Sequence, residues 1–145
     1  PELDRDLLVA GVILHDLGKV LELGVTAEFT YTAEGNLEGH MVHGVRLLDQ
    51  AVTEVGCGAE TAMLLRHLIL SHQGLREYAA VVEPMTPEAV ALHFIDQLSS
   101  QVRPAVEDVN AATARGVGGI SFRGATSMRQ LYARSSGIKT GHGQV

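Results

Sequence analysis

Residues 3–19 read LDRDLLVAGVILHDLGK, and this stretch decides how the chain is expected to fold. It is nearly continuously apolar after an acidic start, and it is too long for an ordinary strand. Asp4 and Asp6 suit the first turn of a helix, where carboxylates face the positive end of the helix dipole. The sequence therefore predicts a buried helix that ends at Gly18, with a histidine–aspartate pair at its end.

Three more helices are predicted downstream of this segment. Apolar residues at spacings of three and four predict a helix from about Gly39 to Val55, and a further helix is expected from about Ala59 to Ser71. Thr86-Pro87 is an N-cap followed by a first-turn proline, which predicts the start of a fourth helix. Pro104 is expected to disturb the end of that helix because a proline cannot donate the helical hydrogen bond.

The remaining segments lack helical periodicity. Residues 21–39 are interpreted as a loop or a short hairpin, with Gly35-Asn36 as a turn signal. Residues 113–145 are rich in glycine and basic, and they predict a loosely ordered tail with at most a short helix at 127–133. We therefore expect an all-α fold, with a helical bundle in residues 1–112 and the tail in residues 113–145.

Composition places the chain among globular proteins without a membrane span. It has 145 residues, of which 46% are hydrophobic, so one domain can bury a substantial core. No apolar run reaches the roughly 18 residues that a bilayer span needs, and the first residues are acidic rather than basic as in a signal peptide. Cys57 is the single cysteine, so no internal disulfide is expected and a cytoplasmic setting is predicted.

Charge is distributed unevenly along the chain. Residues 1–102 carry 15 acidic and 5 basic residues, whereas residues 103–145 carry 2 acidic and 6 basic residues. An acidic core suits the binding of cations, and a basic tail suits phosphate, nucleic acid or the acidic core itself.

Imidazole and carboxylate groups recur at the ends or edges of the predicted helices. The series is His15-Asp16, His40, His67, His72, His93 and Asp96. Such donors suit Mn, Fe, Co, Ni or Zn rather than Ca, and helices of a bundle can direct them into one interior. The sequence therefore predicts a site for a divalent transition metal.

His67 and His72 place a condition on that site. Five residues apart, they would point about 140° away from each other on an unbroken helix. Both can face one metal only if the helix ends near Ser71, which Gly74 allows. His43 lies opposite the apolar stripe of its helix and is predicted at the surface, and His93 is expected to support a ligand rather than to be one.

These motifs resemble the HD superfamily of metal-dependent phosphohydrolases. His15 to Lys19 match its HDxGK motif, and Asp96 is similar to its closing metal aspartate. The likeness is greatest to the HD domain of YhaM-type 3′-to-5′ exoribonucleases. It is carried by YTAEGNLEGH at residues 31–40 and by HLILSH at residues 67–72, and it covers about residues 7–102.

The resemblance implies ligands for one or two metal ions and a role for Lys19. A first ion would use His15, Asp16 and Asp96, together with a histidine on an upstream helix that residues 1–14 do not supply. A second ion would use the set Asp16, His40, His67 and His72. Asp16 would bridge the ions as the central catalytic carboxylate, and Lys19 would contact the substrate phosphate.

Two readings of function follow from the resemblance. The first is a divalent-metal phosphohydrolase that acts on a phosphodiester or phosphomonoester, in a nucleotide or at an RNA 3′ end. The alternative is a metal-binding or regulatory HD module without turnover, and the missing upstream histidine is the reason for it. Two differences from these relatives weigh against exonuclease activity. Gln73 stands where the relatives usually have histidine, and Ser99 stands where they often have an acidic residue. A homo-oligomer is left open.

Overall fold

The computed structural model describes residues 2–25 and 29–135, and most of these are helical. The helices are α1 (Arg5–Leu14), α2 (Lys19–Glu22), α3 (Ala33–Glu38), α4 (His40–Val55), α5 (Ala59–Ser71) and α6 (Pro87–Ala114). The strands are β1 (Leu23–Val25), β2 (Phe29–Tyr31), β3 (Ile120–Arg123) and β4 (Gln130–Ala133), and a 3₁₀ turn spans Arg76–Tyr78. The predicted helical class is confirmed, with two short antiparallel hairpins added to it.

The first helix begins beside the predicted acidic residues, with Asp4 as its N-cap rather than in its first turn, and it ends earlier than predicted. The Asp4 side chain accepts hydrogen bonds from the backbone N–H groups of Asp6 and Leu7, which satisfies two of the free donors at the helix start. α1 ends at Leu14 rather than continuing to Gly18. The next four residues form a turn that leads into the single-turn helix α2.

The segment between α2 and α4 contains the predicted hairpin and an unexpected helix. β1 pairs with β2 in antiparallel register, with Leu23 opposite Tyr31. Thr32 then caps α3, because its hydroxyl accepts a hydrogen bond from the Gly35 N–H at 2.8 Å. The turn predicted at Gly35-Asn36 is therefore wrong, since both residues lie inside α3.

The helices α4 and α5 form at the predicted positions. α4 ends at Gly56, whose φ of 72° lies in the left-handed region that glycine adopts most easily. α5 ends at Ser71, the end point at which the sequence allows His72 to turn away from the helix, and Gly74 follows with a φ of 83°.

The core of the N-terminal unit lies where α1, α4, α5 and the start of α6 meet. Its buried members are Leu7, Leu48, Leu65, Leu68, Ile69, Ala89 and Leu92. Burying a leucine or isoleucine side chain contributes about 1.5–3 kcal/mol, so these contacts hold in place the helix ends that carry the polar residues.

The last helix starts as predicted but extends further. The Thr86 hydroxyl accepts a hydrogen bond from the Ala89 N–H at 3.2 Å, and Pro87 is the first helical residue. The helix continues through Pro104 to Ala114, so the predicted disturbance at Pro104 is wrong. Proline removes one internal hydrogen bond, and the remaining bonds of a 28-residue helix suffice to carry the chain past it.

The chain divides into two compact units, Pro1–Asp96 and Gln97–Val145. In the second unit, β3 and β4 pair with Ile120 opposite Ala133, so the helix predicted at 127–133 is wrong. This hairpin lies within the segment predicted to be a loosely ordered tail, of which residues 136–145 lie outside the described part of the chain. The predicted domain boundary after residue 112 stays a prediction.

Within residues 2–25 and 29–135, we find no helix that combines the length and the apolar character needed to cross a membrane.

Candidate metal centre

The carboxylate of Asp16 lies between residues that come from distant parts of the sequence. Its Oδ1 is 3.7 Å from Nε2 of His40 and 3.9 Å from Nε2 of His72. The two imidazole nitrogens are 3.5 Å apart, and one ligand atom from each of the three residues lies within 4.8 Å of the others. Asp16 follows α1, His40 begins α4 and His72 directly follows α5, so three helix ends converge here.

The second oxygen of Asp16 faces another pair of groups. Oδ2 is 3.4 Å from Nε2 of His15, and this nitrogen is 3.8 Å from Oδ1 of Asp96. The two oxygens of Asp16 therefore face different neighbours. The structure brings together all of the ligands predicted from the sequence except His67.

The donors at this centre fit a divalent cation. Oδ1 of Asp16 is buried and has no hydrogen-bond partner among the residues that the structure describes. A buried carboxylate oxygen without a partner is costly, and such atoms in native proteins commonly face a ligand. Imidazole nitrogens and a carboxylate oxygen are donors that transition metals prefer, so Asp16, His40 and His72 could hold one.

Hydrogen bonds direct two of the histidine rings toward Asp16. Nδ1 of His15 donates to the Val12 carbonyl at 2.9 Å, and Nδ1 of His72 donates to the Ile69 carbonyl at 2.7 Å. Each ring therefore presents Nε2 to the centre. The Gln73 amide donates to Nε2 of His72 at 2.9 Å, so that nitrogen carries a lone pair rather than a proton.

The pKa shifts at this centre favour an ionised Asp16 and a neutral His72. Burial raises the pKa of Asp16, but its hydrogen bonds with His15 and Lys19 outweigh burial and hold the pKa well below its usual range. The same hydrogen bond with Asp16 raises the pKa of His15. Burial lowers the pKa of His72. A charged carboxylate and a neutral imidazole are the states in which these groups bind metals.

Two other histidines of the series make backbone contacts instead. Nε2 of His67 accepts a hydrogen bond from the Met85 N–H at 2.9 Å, so His67 does not join Asp16 in this structure. Nδ1 of His93 donates to the His72 carbonyl at 2.9 Å, so His93 supports the loop that carries His72. The assignment of His67 as a ligand stays a prediction.

The cluster of histidine and aspartate residues around Asp16 falls within a known protein family. The family model described as the HD domain matches residues 1–101, a range that includes every residue of the centre. The chain belongs to the HD domain family. HD domains bind divalent metals, in agreement with the His and Asp donors that meet at Asp16.

Curated relatives of this HD domain are exoribonucleases by name. The chain is 52% identical over 102 residues to the 3′-5′ exoribonuclease YhaM of Bacillus velezensis, and the match covers 70% of this chain and 32% of the relative. The YhaM proteins of Bacillus subtilis and Bacillus pumilus are 50% and 48% identical over the same length, with the same coverage. The chain thus spans about a third of the length of the curated relatives that it matches. No solved structure matches it significantly.

Lys19 of the HD domain lies beside the metal donors. Its Nζ donates to Oδ2 of Asp16 at 2.6 Å, one turn along the chain. The side chain is 45% exposed, so the ammonium group is accessible from solvent. Its predicted role, contact with a substrate phosphate, stays a prediction.

Two buried residues of the HD domain were not singled out correctly by sequence analysis. Glu22 is 8% exposed and contacts His40, and its only sequence signal is an acid inside the apolar run 20–25. His43 is 4% exposed, so its predicted surface position is wrong. Helices α2 and α3 pack against α4, which buries a position that the helical periodicity leaves at the surface. Nε2 of His43 has no partner within the described ranges.

Proposed function

We propose that this HD domain is a divalent-metal-dependent phosphohydrolase that acts on a phosphodiester at an RNA 3′ end or in a nucleotide. The observation that carries the proposal is the unpartnered oxygen of Asp16, which is buried between the Nε2 atoms of His40 and His72. Such a group of donors stabilises the fold little by itself, because it leaves one buried carboxylate oxygen without a hydrogen bond. Binding a cation is the function that accounts for it.

The residues of the centre are proposed to have different roles in hydrolysis. Asp16, His40 and His72 would hold one ion, and His15 and Asp96, on the other side of the Asp16 carboxylate, are the donors for another. A divalent cation supplies charge neutralisation for a phosphate and lowers the pKa of water. Lys19 contributes an exposed ammonium group that can bind a phosphate oxygen as a point charge.

RNA is proposed as the substrate on two grounds. The curated relatives are named 3′-5′ exoribonucleases, and this chain spans about a third of their length. In addition, residues 115–135 contain four arginines and no acidic residue, which favours a polyanionic partner. A nucleotide is the smaller substrate of the same chemistry. A cytoplasmic location, the metal among Mn, Fe, Co, Ni and Zn, and a homo-oligomeric state stay predictions.

The second candidate function is a metal-binding or regulatory module without turnover. One observation favours it: Nε2 of His67 is engaged by the Met85 N–H, so the donor group around Asp16 is smaller than the resemblance implies. A smaller donor group would hold an ion less tightly, and the hydrolytic rate would fall with occupancy.

The two candidates are separated by metal content and turnover measured on the same preparation. Protein purified without chelator is analysed for metals, and then assayed with excess Mn²⁺ on a chromogenic phosphodiester and on 3′-labelled RNA. We expect bound metal and slow hydrolysis of the small substrate. Asp16→Asn should lose both properties, because an amide keeps the shape of the side chain but not its charge.

The matched control is Asp49→Asn, which alters a half-exposed aspartate that pairs with Arg66 and takes no part in the centre. It should leave metal content and turnover unchanged. Bound metal without turnover above the Asp16→Asn background would favour the regulatory module. Protein that binds no metal even after reconstitution would overturn both candidates.

A further inference from the structure

A second carboxylate, Glu22, lies behind the metal centre and contacts one of its histidines. Glu22 is the last residue of α2, and only 8% of it is exposed. Its Oε1 accepts a hydrogen bond from the backbone N–H of His40 at 3.1 Å and lies 3.4 Å from the ring Nδ1 of the same residue. Removing a carboxylate from water costs free energy, so a buried carboxylate needs contacts that compensate for the lost hydration.

The two nitrogens of the His40 ring face different groups. Nδ1 faces the Glu22 carboxylate, whereas Nε2 faces Oδ1 of Asp16 at 3.7 Å and Nε2 of His72 at 3.5 Å. A neutral imidazole carries one proton, and a neighbouring carboxylate favours its placement on the nearer nitrogen. This arrangement would place the proton on Nδ1 and direct the lone pair of Nε2 toward the centre.

Glu22 differs from the groups that hold the other two rings. Nδ1 of His15 and Nδ1 of His72 are bonded to backbone carbonyls, of Val12 and Ile69. Among these three histidines, only His40 has a carboxylate at Nδ1. A charged acceptor binds an N–H more strongly than a neutral carbonyl does, and it raises the basicity of the opposite nitrogen.

The backbone of Glu22 is fixed by its surroundings. Its carbonyl oxygen accepts hydrogen bonds from the Thr32 N–H at 2.9 Å and from the Thr32 hydroxyl at 3.3 Å. Gly35 packs against the same carbonyl so closely that a Cβ there would clash with its oxygen. The segment after β2 therefore clamps the end of α2, and the carboxylate is delivered to His40 from a rigid support.

We propose that Glu22 is a positioning residue of this HD domain, which holds His40 in the Nδ1-protonated tautomer and so presents Nε2 to the metal. The inference rests on the proposed function in one respect, because it assigns His40 as a ligand. Among the described residues, Glu22 forms no hydrogen bond or ion pair with Asp16 or Lys19. It acts through His40.

The chain offers a matched control for Glu22. Glu88 is also 8% exposed, and its Oε1 also accepts a backbone N–H bond, from Asp4 at 2.9 Å, at a position that takes no part in the centre. Replacing either carboxylate by alanine removes one buried acceptor and leaves one backbone N–H unpaired. A difference in metal affinity between the two variants therefore reports on the contact with the His40 ring.

The experiment uses Mn²⁺ alone as the probe and compares wild type with Glu22→Ala, Glu22→Gln and Glu88→Ala. Isothermal titration should show Mn²⁺ binding weakened about 10- to 100-fold in Glu22→Ala. Glu22→Gln should fall between that variant and wild type, since an amide oxygen still accepts from Nδ1. Glu88→Ala should keep wild-type affinity.

A second measurement needs no metal. Nitrogen-15 spectra of the imidazole rings in the metal-free protein, at a pH well above the ordinary histidine pKa, should show His40 protonated on Nδ1 in wild type. The Nε2-protonated form should gain population in Glu22→Ala. This result would support the positioning role even if the protein bound no Mn²⁺, in which case only the proposed function would fail.

Two outcomes would overturn the inference. One is a His40 ring that carries its proton on Nε2 in wild type. The other is an equal loss of Mn²⁺ affinity in Glu22→Ala and Glu88→Ala. That result would mean that Glu22 only stabilises the fold by accepting a backbone hydrogen bond. If Glu22→Ala does not fold, the tautomer of wild type and the affinity of Glu22→Gln still decide the question.

Discussion

Gly18 lies so close to the backbone of His40 that a Cβ at this position would overlap the His40 carbonyl oxygen. The same Cβ would be 2.6 Å from the backbone nitrogen of Gly44. The turn that carries Asp16 therefore touches the first turn of α4 directly, backbone against backbone. This contact brings the carboxylate and the His40 ring within reach of each other.

Replacing Gly18 with alanine should destabilise the fold and weaken metal binding together. The atoms that the new methyl group would meet belong to backbone, which cannot move aside as a flexible side chain can, and overpacking of this kind costs about 1–3 kcal/mol. Chemical denaturation and Mn²⁺ titration measure the two effects. Gly58→Ala is the control, since a Cβ there meets nothing within 4 Å and its φ is −62°. Equal stability of the two variants would mean that α4 is not held by this contact.

Lys19→Ala should lower the rate of hydrolysis while leaving the metal content unchanged. An ammonium group has no lone pair to bind a metal, but it can stabilise charge on a phosphate, and losing one such donor costs about 10²-fold in kcat. Steady-state kinetics on the chromogenic phosphodiester, with elemental analysis of the same sample, check this. Arg5→Ala, which removes an exposed cation beside Asp6, should have no effect. A loss of metal in Lys19→Ala would assign the residue to the support of Asp16 instead.

The second unit should lose stability in acid through Asp108. Its carboxylate accepts hydrogen bonds from the Ser127 N–H at 2.8 Å and the Thr126 N–H at 3.1 Å. These bonds lower the pKa of Asp108 to about 2, and the contribution of Ser127 is the largest. An unfolded aspartate has a pKa of about 3.9, so between these values the unfolded state binds more protons. The stabilising contribution is therefore complete above about pH 4, and it is lost as pH falls through 2.

Thermal unfolding is followed by circular dichroism from about pH 5 to about pH 2, a range that spans the folded and unfolded pKa values of Asp108. The stability of the wild-type second unit should decline over this range. In Asp108→Asn the decline should be smaller, because the amide does not titrate. Glu107→Gln is the neighbouring control, since Glu107 is half-exposed and pairs with Arg103. An unchanged pH profile in Asp108→Asn would show that other carboxylates govern the acid transition.

If RNA is the substrate, arginines of the β3–β4 hairpin should contribute a salt-dependent part of its affinity. Arg123 is paired across the strands with Gln130, and the neighbouring pair on the same face is Ser121 with Tyr132; all four are exposed. Arg123→Gln should weaken RNA binding and reduce the slope of log affinity against log salt by about 1. Fluorescence anisotropy measures both quantities. Arg103→Gln, which removes an arginine that pairs with Glu107, should change neither, and an equal effect there would contradict a role specific to the hairpin.

Local signals in the sequence were sufficient for the helices that carry the centre. Thr86 caps its helix as predicted, Asp6 lies in the first turn of α1 as predicted, and α5 ends at the predicted Ser71. Capping and periodicity depend on residues within about four positions of one another, so they can be read without the rest of the fold. The β3–β4 hairpin pairs residues on separate strands, and α6 continues through Pro104 on the other hydrogen bonds of a 28-residue helix. In both places the local signals pointed to the wrong structure.

The sequence by itself determined which residue types could form a metal centre and in which order they occur, because HDLGK at residues 15–19 and the later histidines are chemical identities. Only the tertiary structure decided which of them meet. It placed His72 against Asp16, engaged His67 with Met85, and buried Glu22 behind His40. These contacts join residues 18 to 56 positions apart, and they exist because helix packing, not spacing along one helix, sets their distances.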